Sequence, residues 1–335
     1  MPTSTLRRGE HPPPAPTAGG GASQRWFRPL AIFTAVYTYL LIVFGGTVRI
    51  TGSGMGCGDD WPLCNGQLIP PMDPATLIEY THRLLAAGLV VPFAALAIHV
   101  LRRRGAPGYA GPGGVARPVA LAVALLFVQV LLGAITVWLE LPAGVTVLHF
   151  LTAASMLAAI IVAVVRAGTP AGAAPASAAA AGTAGDQERR ARAFYRAARS
   201  GAVLGFLVLA MGALTANTGA APLCQGFPLC NGELVPAGSS LVHIHWTHRL
   251  LAYLLVLHVV GAALRARAAP PAVRRATFTA AAAVGVQIVV AAALVLLVLP
   301  RWLQALHLAV GAAVWVSLVA WAAVARKHQR TLAAA

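Results

Sequence analysis

Eight runs of apolar residues divide this chain, and they constrain its fold more than any other feature. They cover Leu30–Val48, Ile78–Leu101, Pro118–Trp138, Val145–Val165, Ala202–Ala216, Ile244–Leu264, Thr277–Leu299 and Leu303–Val324. Inside a bilayer the backbone has no water to bond to, so an apolar run long enough to span must satisfy its own N–H and C=O groups as a helix. The fifth run is short, and its helix is expected to begin earlier. Only 10% of the 335 residues are charged and 58% are hydrophobic, whereas a soluble domain carries about 25% charged residues. The expected fold is therefore an all-α integral membrane protein of eight transmembrane helices.

The net charge of +16 would suggest nucleic acid in a soluble chain. Its placement argues for topology instead. An even number of spans puts both termini on one side, and 21 of the 25 Lys and Arg residues fall there. They include Arg102–Arg104 and Arg117, Arg189–Arg199 in the central connection, Arg265–Arg275, and Arg326, Lys327 and Arg330. The positive-inside bias then places both termini in the cytoplasm of a multi-pass plasma-membrane protein whose partner is lipid, with no role for nucleic acid. Residues 1–28 are rich in Pro and Gly and lack the apolar core of a signal peptide, so a disordered cytoplasmic tail is expected there. Residues 167–199 read as a low-complexity cytoplasmic linker between a front half, 29–166, and a back half, 200–325, with a second tail over 326–335.

The halves repeat. Trp61–Pro70 reads WPLCNGQLIP and Phe227–Pro236 reads FPLCNGELVP, with seven of ten positions identical at an offset of 166. The hexapeptide Thr81–Ala86 recurs as Thr247–Ala252 at the same offset, and Gln129 and His149 match Gln287 and His307 at an offset of 158. Four spans per half start both halves on the same side. That is the pattern of a parallel repeat about an axis along the membrane normal, two tandem four-helix bundles. Similarity between apolar segments alone would not align Cys, His, Arg and Gln in one order.

Four of the ten histidines occupy repeat-equivalent positions inside spans: His82, His149, His248 and His307. Each lies about four residues, roughly 6 Å, inside its expected span from the outer side. An ionisable group in the membrane is a functional candidate. Two pairs at one depth on alternate helices have the pattern of bis-histidine haem ligation, with iron held by His82 and His149 and by His248 and His307. A non-haem metal is the rival, although neither pair brings the extra carboxylate or thiolate such a site uses. Arg83 and Arg249 follow the first ligand of each pair and could bind haem propionates or snorkel to lipid phosphate. His99 and His258 break the repeat. His99 is expected at the interface, and His258 is expected to pack or hydrogen-bond.

All four cysteines fall in outer loops, Cys57 and Cys64 in the first and Cys224 and Cys230 in its repeat. An oxidising outer face favours a local disulfide in each loop. Such a bridge could staple a lid or exchange electrons. One difference separates the halves: Glu79 stands three residues before His82, where the back half has His245 before His248. Residues i and i+3 share a helix face. Glu79 therefore reads either as a carboxylate stabilised by the helix dipole or as a catalytic group beside a haem ligand.

Together, Glu79-Tyr80-Thr81-His82-Arg83, the loop from Cys57 through Trp61-Pro62-Leu63-Cys64-Asn65-Gly66, His248-Arg249, His149 and His307 resemble haem A synthases of the CtaA type. The resemblance covers about Thr34 to Trp321. It implies an oxidoreductase that converts the 8-methyl group of haem O to the formyl group of haem A for cytochrome oxidase. Two successive two-electron oxidations and loss of water are required. The front half would be catalytic, with His82 and His149 holding the haem substrate beside Glu79. The back half would keep haem b as cofactor on His248 and His307. The cysteine pairs match positions described in the family as disulfides. Haem O synthase and oxidase assembly factors are the partners implied, along with an electron acceptor that the sequence does not identify. A dihaem electron carrier without substrate chemistry is the alternative. A transporter would put its polar groups at the midplane, where only Gln129 and Gln287 are found.

Overall fold

The computed structural model describes residues 19–71, 73–168 and 183–333. Eight long helices follow one another: α1 (Gly19–Thr51), α2 (Pro74–Arg103), α3 (Ala116–Trp138), α4 (Ala143–Ala167), α5 (Ala184–Asn217), α6 (Ser240–Arg265), α7 (Pro271–Leu296) and α8 (Arg301–Ala333). All eight are long and apolar enough to cross a membrane, and the described residues form no strand beyond two isolated bridges.

Helix ends follow local chemistry. Asp73 caps α2 by accepting from the N–H groups of Ala75 and Thr76, with Pro74 at the first helical position, where its missing N–H costs nothing. Thr183 and Asp186 form a reciprocal capping box on α5, which satisfies two of the four free N–H groups at a helix start.

These ends correct three expected boundaries. The tail expected over 1–28 gives way to helix at Gly19, and Phe27 is buried against His99 and Tyr109, with ring centroids 5.8 and 6.0 Å away. The remainder of that tail, 1–18, lies outside the described residues. The linker expected over 167–199 becomes helix at Ala184, because the capping box and the Arg189–Asp186 and Arg192–Glu188 ion pairs support a polar first turn. Its low-complexity centre, 169–182, also lies outside the described residues. The tail expected from 326 is the continuation of α8 to Ala333.

In the front half, α1 packs on α2 and α4, and α3 packs on α2 and α4. In the back half, α5 packs on α6 and α8, and α7 packs on α6 and α8. Helices α1, α4, α5 and α8 also meet across the two groups. There Tyr39 Oη donates to Ala309 O at 3.0 Å, Trp315 Nε1 to Ala154 O at 2.8 Å, and Arg49 to Ala216 O at 3.0 Å. A β-carbon on Gly46 would come within 1.8 Å of Leu308 Cδ2, so a side chain at Gly46 would force Leu308 of α8 to move.

Backbone details recur at the repeat offsets. Asn65-Gly66 and Asn231-Gly232 take left-handed conformations (φ 51° and 73°, 56° and 82°) in matching turns. Glu140-Leu141 and Val298-Leu299 do so between α3 and α4 and between α7 and α8 (φ 55° and 61°, 59° and 59°).

Candidate functional site

His82 stands eight residues after the start of α2 and His248 eight after the start of α6; His149 and His307 stand six after the starts of α4 and α8. The helices begin earlier than the apolar runs, so the ligand candidates lie deeper from the helix ends than the sequence suggested. All four are half-buried. His82 and His149 lie within electrostatic reach of each other, as do His248 and His307. Each bundle thus brings together one histidine pair.

Small residues clear the space around these rings. A β-carbon on Gly45 of α1 would sit 2.9 Å from His82 Nε2, and one on Gly212 of α5 would sit 2.9 Å from His248 Cε1. On α3, a β-carbon at Gly133 would lie 3.4 Å from His149 Cε1.

An imidazole that binds iron gives up one nitrogen and must dispose of the other. His248 Nδ1 lies 3.1 Å from Val208 O, its acceptor on α5, which leaves Nε2 free of that bond. His149 Nε2 lies 3.0 Å from Gln129 Nε2, while its Nδ1 is buried without a partner. Gln287 Nε2 lies 3.1 Å from His307 Nδ1 and 3.3 Å from its Nε2. Two imidazoles per bundle, with glycine beside three of the four rings, fit a haem held from both sides. Among the described residues, no group of three or more His, Cys, Asp or Glu gathers as a metal site.

Over each pair lies a disulfide loop. Cys57–Cys64 and Cys224–Cys230 are bridged, with S–S distances of 2.01 and 2.03 Å, as expected. Arg83 Nη1 donates to Asp60 O and Leu63 O, both at 2.6 Å, and Arg249 Nη1 to Gly226 O and Leu229 O, both at 2.8 Å. These acceptors are repeat-equivalent. Tyr80 Oη donates to Leu68 O, and Trp246 Nε1 to Leu234 O, again at matching positions. The arginines considered for propionates clamp the loops to the helices in both halves.

The halves differ beneath this clamp. Glu79 is 3% exposed. Its Oε1 pairs with Arg83 Nη2 at 2.6 Å and Nε at 3.1 Å, and its Oε2 accepts from the Cys57 N–H at 2.9 Å. In the back half His245 is buried and accepts from Arg249 Nε at 3.2 Å, while Arg249 Nη2 donates to Cys224 O at 2.5 Å. The front half thus holds a carboxylate at the end of its disulfide loop, and the back half holds a neutral ring there.

His99 Nε2 bonds to Tyr109 Oη at 2.8 Å, and His258 Nε2 to Ala197 O at 2.8 Å. Both are hydrogen-bonded away from the ligand pairs, as expected for His258. Sequence reasoning missed the roles of Gly45, Gly212 and the Val208 carbonyl. The glutamines it had matched between halves, but not connected to the histidines.

The profile of the COX15-CtaA family, described as cytochrome oxidase assembly protein, matches residues 28–319. A haem A synthase of Alkalihalophilus pseudofirmus is 30% identical over 238 residues, covering 69% of this chain and 73% of that protein. One from Exiguobacterium sibiricum is 30% identical over 267 residues, covering 75% and 81%. One from Halalkalibacterium halodurans is 32% identical over 248 residues, covering 70% and 75%. With the match spanning all eight helices and both histidine pairs, the chain belongs to the COX15-CtaA family of cytochrome oxidase assembly proteins.

Proposed function

We propose that this protein is a haem A synthase, a plasma-membrane oxidoreductase that takes the 8-methyl group of haem O to the formyl group of haem A. The observation that carries the proposal is the asymmetry beneath the two loop clamps. Two histidine pairs sit in like surroundings, yet only the front pair has a buried carboxylate one turn away. The names of the relatives and the family match support the same reading.

In this proposal His82 and His149 hold the iron of the substrate haem and fix its orientation in the front bundle. Glu79, held by Arg83 and the Cys57 N–H, takes up a proton or stabilises positive charge at the carbon being oxidised. Arg83 keeps the Cys57–Cys64 loop closed over the front pair and limits water there. His248 and His307 hold a haem b, which supplies a one-electron relay when bound. The two bundles form a parallel pseudo-twofold repeat with divided labour.

A dihaem electron carrier is the second reading, and one observation favours it: both Glu79 oxygens already have protein partners. Purification after co-expression with a haem O source, followed by mass analysis of extracted haems, separates the two. The proposal expects haem A or its alcohol precursor to accumulate with the protein. Haem b and unchanged haem O alone would support the carrier.

A further inference from the structure

Gln129 on α3 and Gln287 on α7 are repeat-equivalent, and each faces the histidine twenty positions later, on the next helix. The two amides share their ring contact and differ in one bond, the donation of Gln287 Nε2 to His307 O at 3.1 Å. Each Nε2 is within 3.0–3.1 Å of a ring nitrogen, and each Oε1 is buried with no hydrogen-bond partner. Two buried orphan oxygens at matching positions call for an explanation, because a buried acceptor without a partner has lost its water and gained no bond in return.

The chemistry of a ligand imidazole supplies one. A neutral imidazole that gives one nitrogen to iron carries its proton on the other. That N–H needs an acceptor, and an amide N–H₂ placed against it is repulsive. Turning the Gln129 amide about its last torsion brings Oε1 to the ring and removes both faults; for Gln287 the same turn pairs Oε1 with the ring but gives up the Nε2 donation to His307 O at 3.1 Å. His248 already shows the finished arrangement, with its Nδ1 against the Val208 carbonyl at 3.1 Å. On α8, a β-carbon at Gly311 would lie 3.3 Å from Gln287 Nε2. The absence of a side chain there leaves the amide room to turn.

We infer that Gln129 and Gln287 are positioning residues whose Oε1 accepts the far ring N–H of His149 and His307 when those histidines hold haem iron. The inference rests on the haem reading given above. By accepting that proton, each glutamine fixes the tautomer and plane of its histidine and increases electron donation to iron. Stronger donation favours ferric iron and lowers the midpoint potential. In the back half the glutamine would therefore set the potential of the resident haem.

The test is a spectroelectrochemical titration of the b haem in the purified full-length protein, comparing wild type, Gln287→Leu, Gln287→Met and Gln287→Glu. Leu removes the acceptor and should raise the midpoint potential; it should also weaken haem retention by about 10- to 100-fold. Glu is a stronger acceptor and should lower the potential. The charge of Glu lowers the potential even without a bond to the ring, so Gln287→Met, a neutral chain of similar length with no strong acceptor, separates the roles: loss of the acceptor should raise the potential as in Leu, whereas a merely space-filling role would leave Met unshifted. An unshifted or lower potential in both Leu and Met would overturn the inference. If the Leu variant fails to insert or to retain haem, the Met variant decides alone: a higher potential supports the inference, and an unchanged or lower one overturns it. His307→Ala separates the two levels of argument. A b-type spectrum that survives in His307→Ala would sink the ligand assignment itself. A spectrum lost there, with Gln287 variants unshifted, would sink only the role of the glutamine.

Discussion

Glu79 and Arg83 form an ion pair of 2.6 Å across one turn of α2, and both also bond to the loop closed by Cys57 and Cys64. The carboxylate is therefore joined to the disulfide loop and to the helix that carries His82. A single residue can thus affect loop closure and haem chemistry together, and variants must be chosen to separate the two.

Glu79→Gln is the first such variant. Gln can still accept from the Cys57 N–H, and Arg83, left without its carboxylate, keeps the Asp60 and Leu63 carbonyls that hold the loop, so some stability should be lost while the loop stays closed. The protein should insert and keep its back-half b haem. Loss of a proton acceptor or charge stabiliser costs about 10²–10⁴ in rate. Haem extraction should show haem O or the alcohol in place of haem A. A wild-type yield of haem A would remove Glu79 from the mechanism.

The second prediction concerns the clamp itself. Arg83→Leu leaves Glu79 charged and buried, and breaking a buried pair from one side costs about 3–5 kcal/mol. The side chains are 13% and 4% exposed, so water does little to screen that charge. Thermal unfolding in detergent should fall further for Arg83→Leu than for the double variant Glu79→Leu/Arg83→Leu, which leaves no unpaired charge. Equal or greater loss in the double variant would show that the carbonyl contacts, not the ion pair, dominate.

Glycine substitutions should act on one half at a time. In Gly212→Ala the new methyl group would press on His248 from 2.9 Å. The b-type absorbance per protein should drop. Gly45→Ala presses on His82 Nε2 from the same distance. It should preserve the b-type spectrum and reduce haem A. If both substitutions reduced the same signal, the division of labour between the halves would be wrong.

The eight helices and the pairing of the four histidines were legible because each rests on a strong pattern: apolar length for the helices, repeat registration for the histidines. The polar ends of α1, α5 and α8 were not, because polar turns carry no hydropathy signal and are held by caps, ion pairs and a buried Phe27. The loop partners of Arg83 and Arg249 were also hidden. They are main-chain carbonyls twenty or more residues away, and a carbonyl leaves no trace in residue type. The glycine beside His82 escaped for a subtler reason. Gly46 is the residue aligned with Gly212 at the offset of 166, but Gly45 is the one that faces the ring.

The topological reading has its own test. Both cysteine loops should face outward, with the termini and central connection in the cytoplasm. After reduction of intact cells, a membrane-impermeant thiol reagent should label Cys57, Cys64, Cys224 and Cys230. Labelling only after lysis would invert the topology.

Helix α8 carries His307 on its outer part, and further along it the Trp315 that donates to Ala154 of α4. It also lies against α1, α5 and α7. The histidine proposed as the back-half ligand and the seam between the halves are thus written on one helix. A repeat freed from its twin can diverge residue by residue, but this helix answers to both. Changes that retune the back haem by shifting α8 would also be felt at α1 and α4 in the front bundle. The two halves can differ in residue, as they do at Glu79 and His245, while remaining bound to one shared geometry.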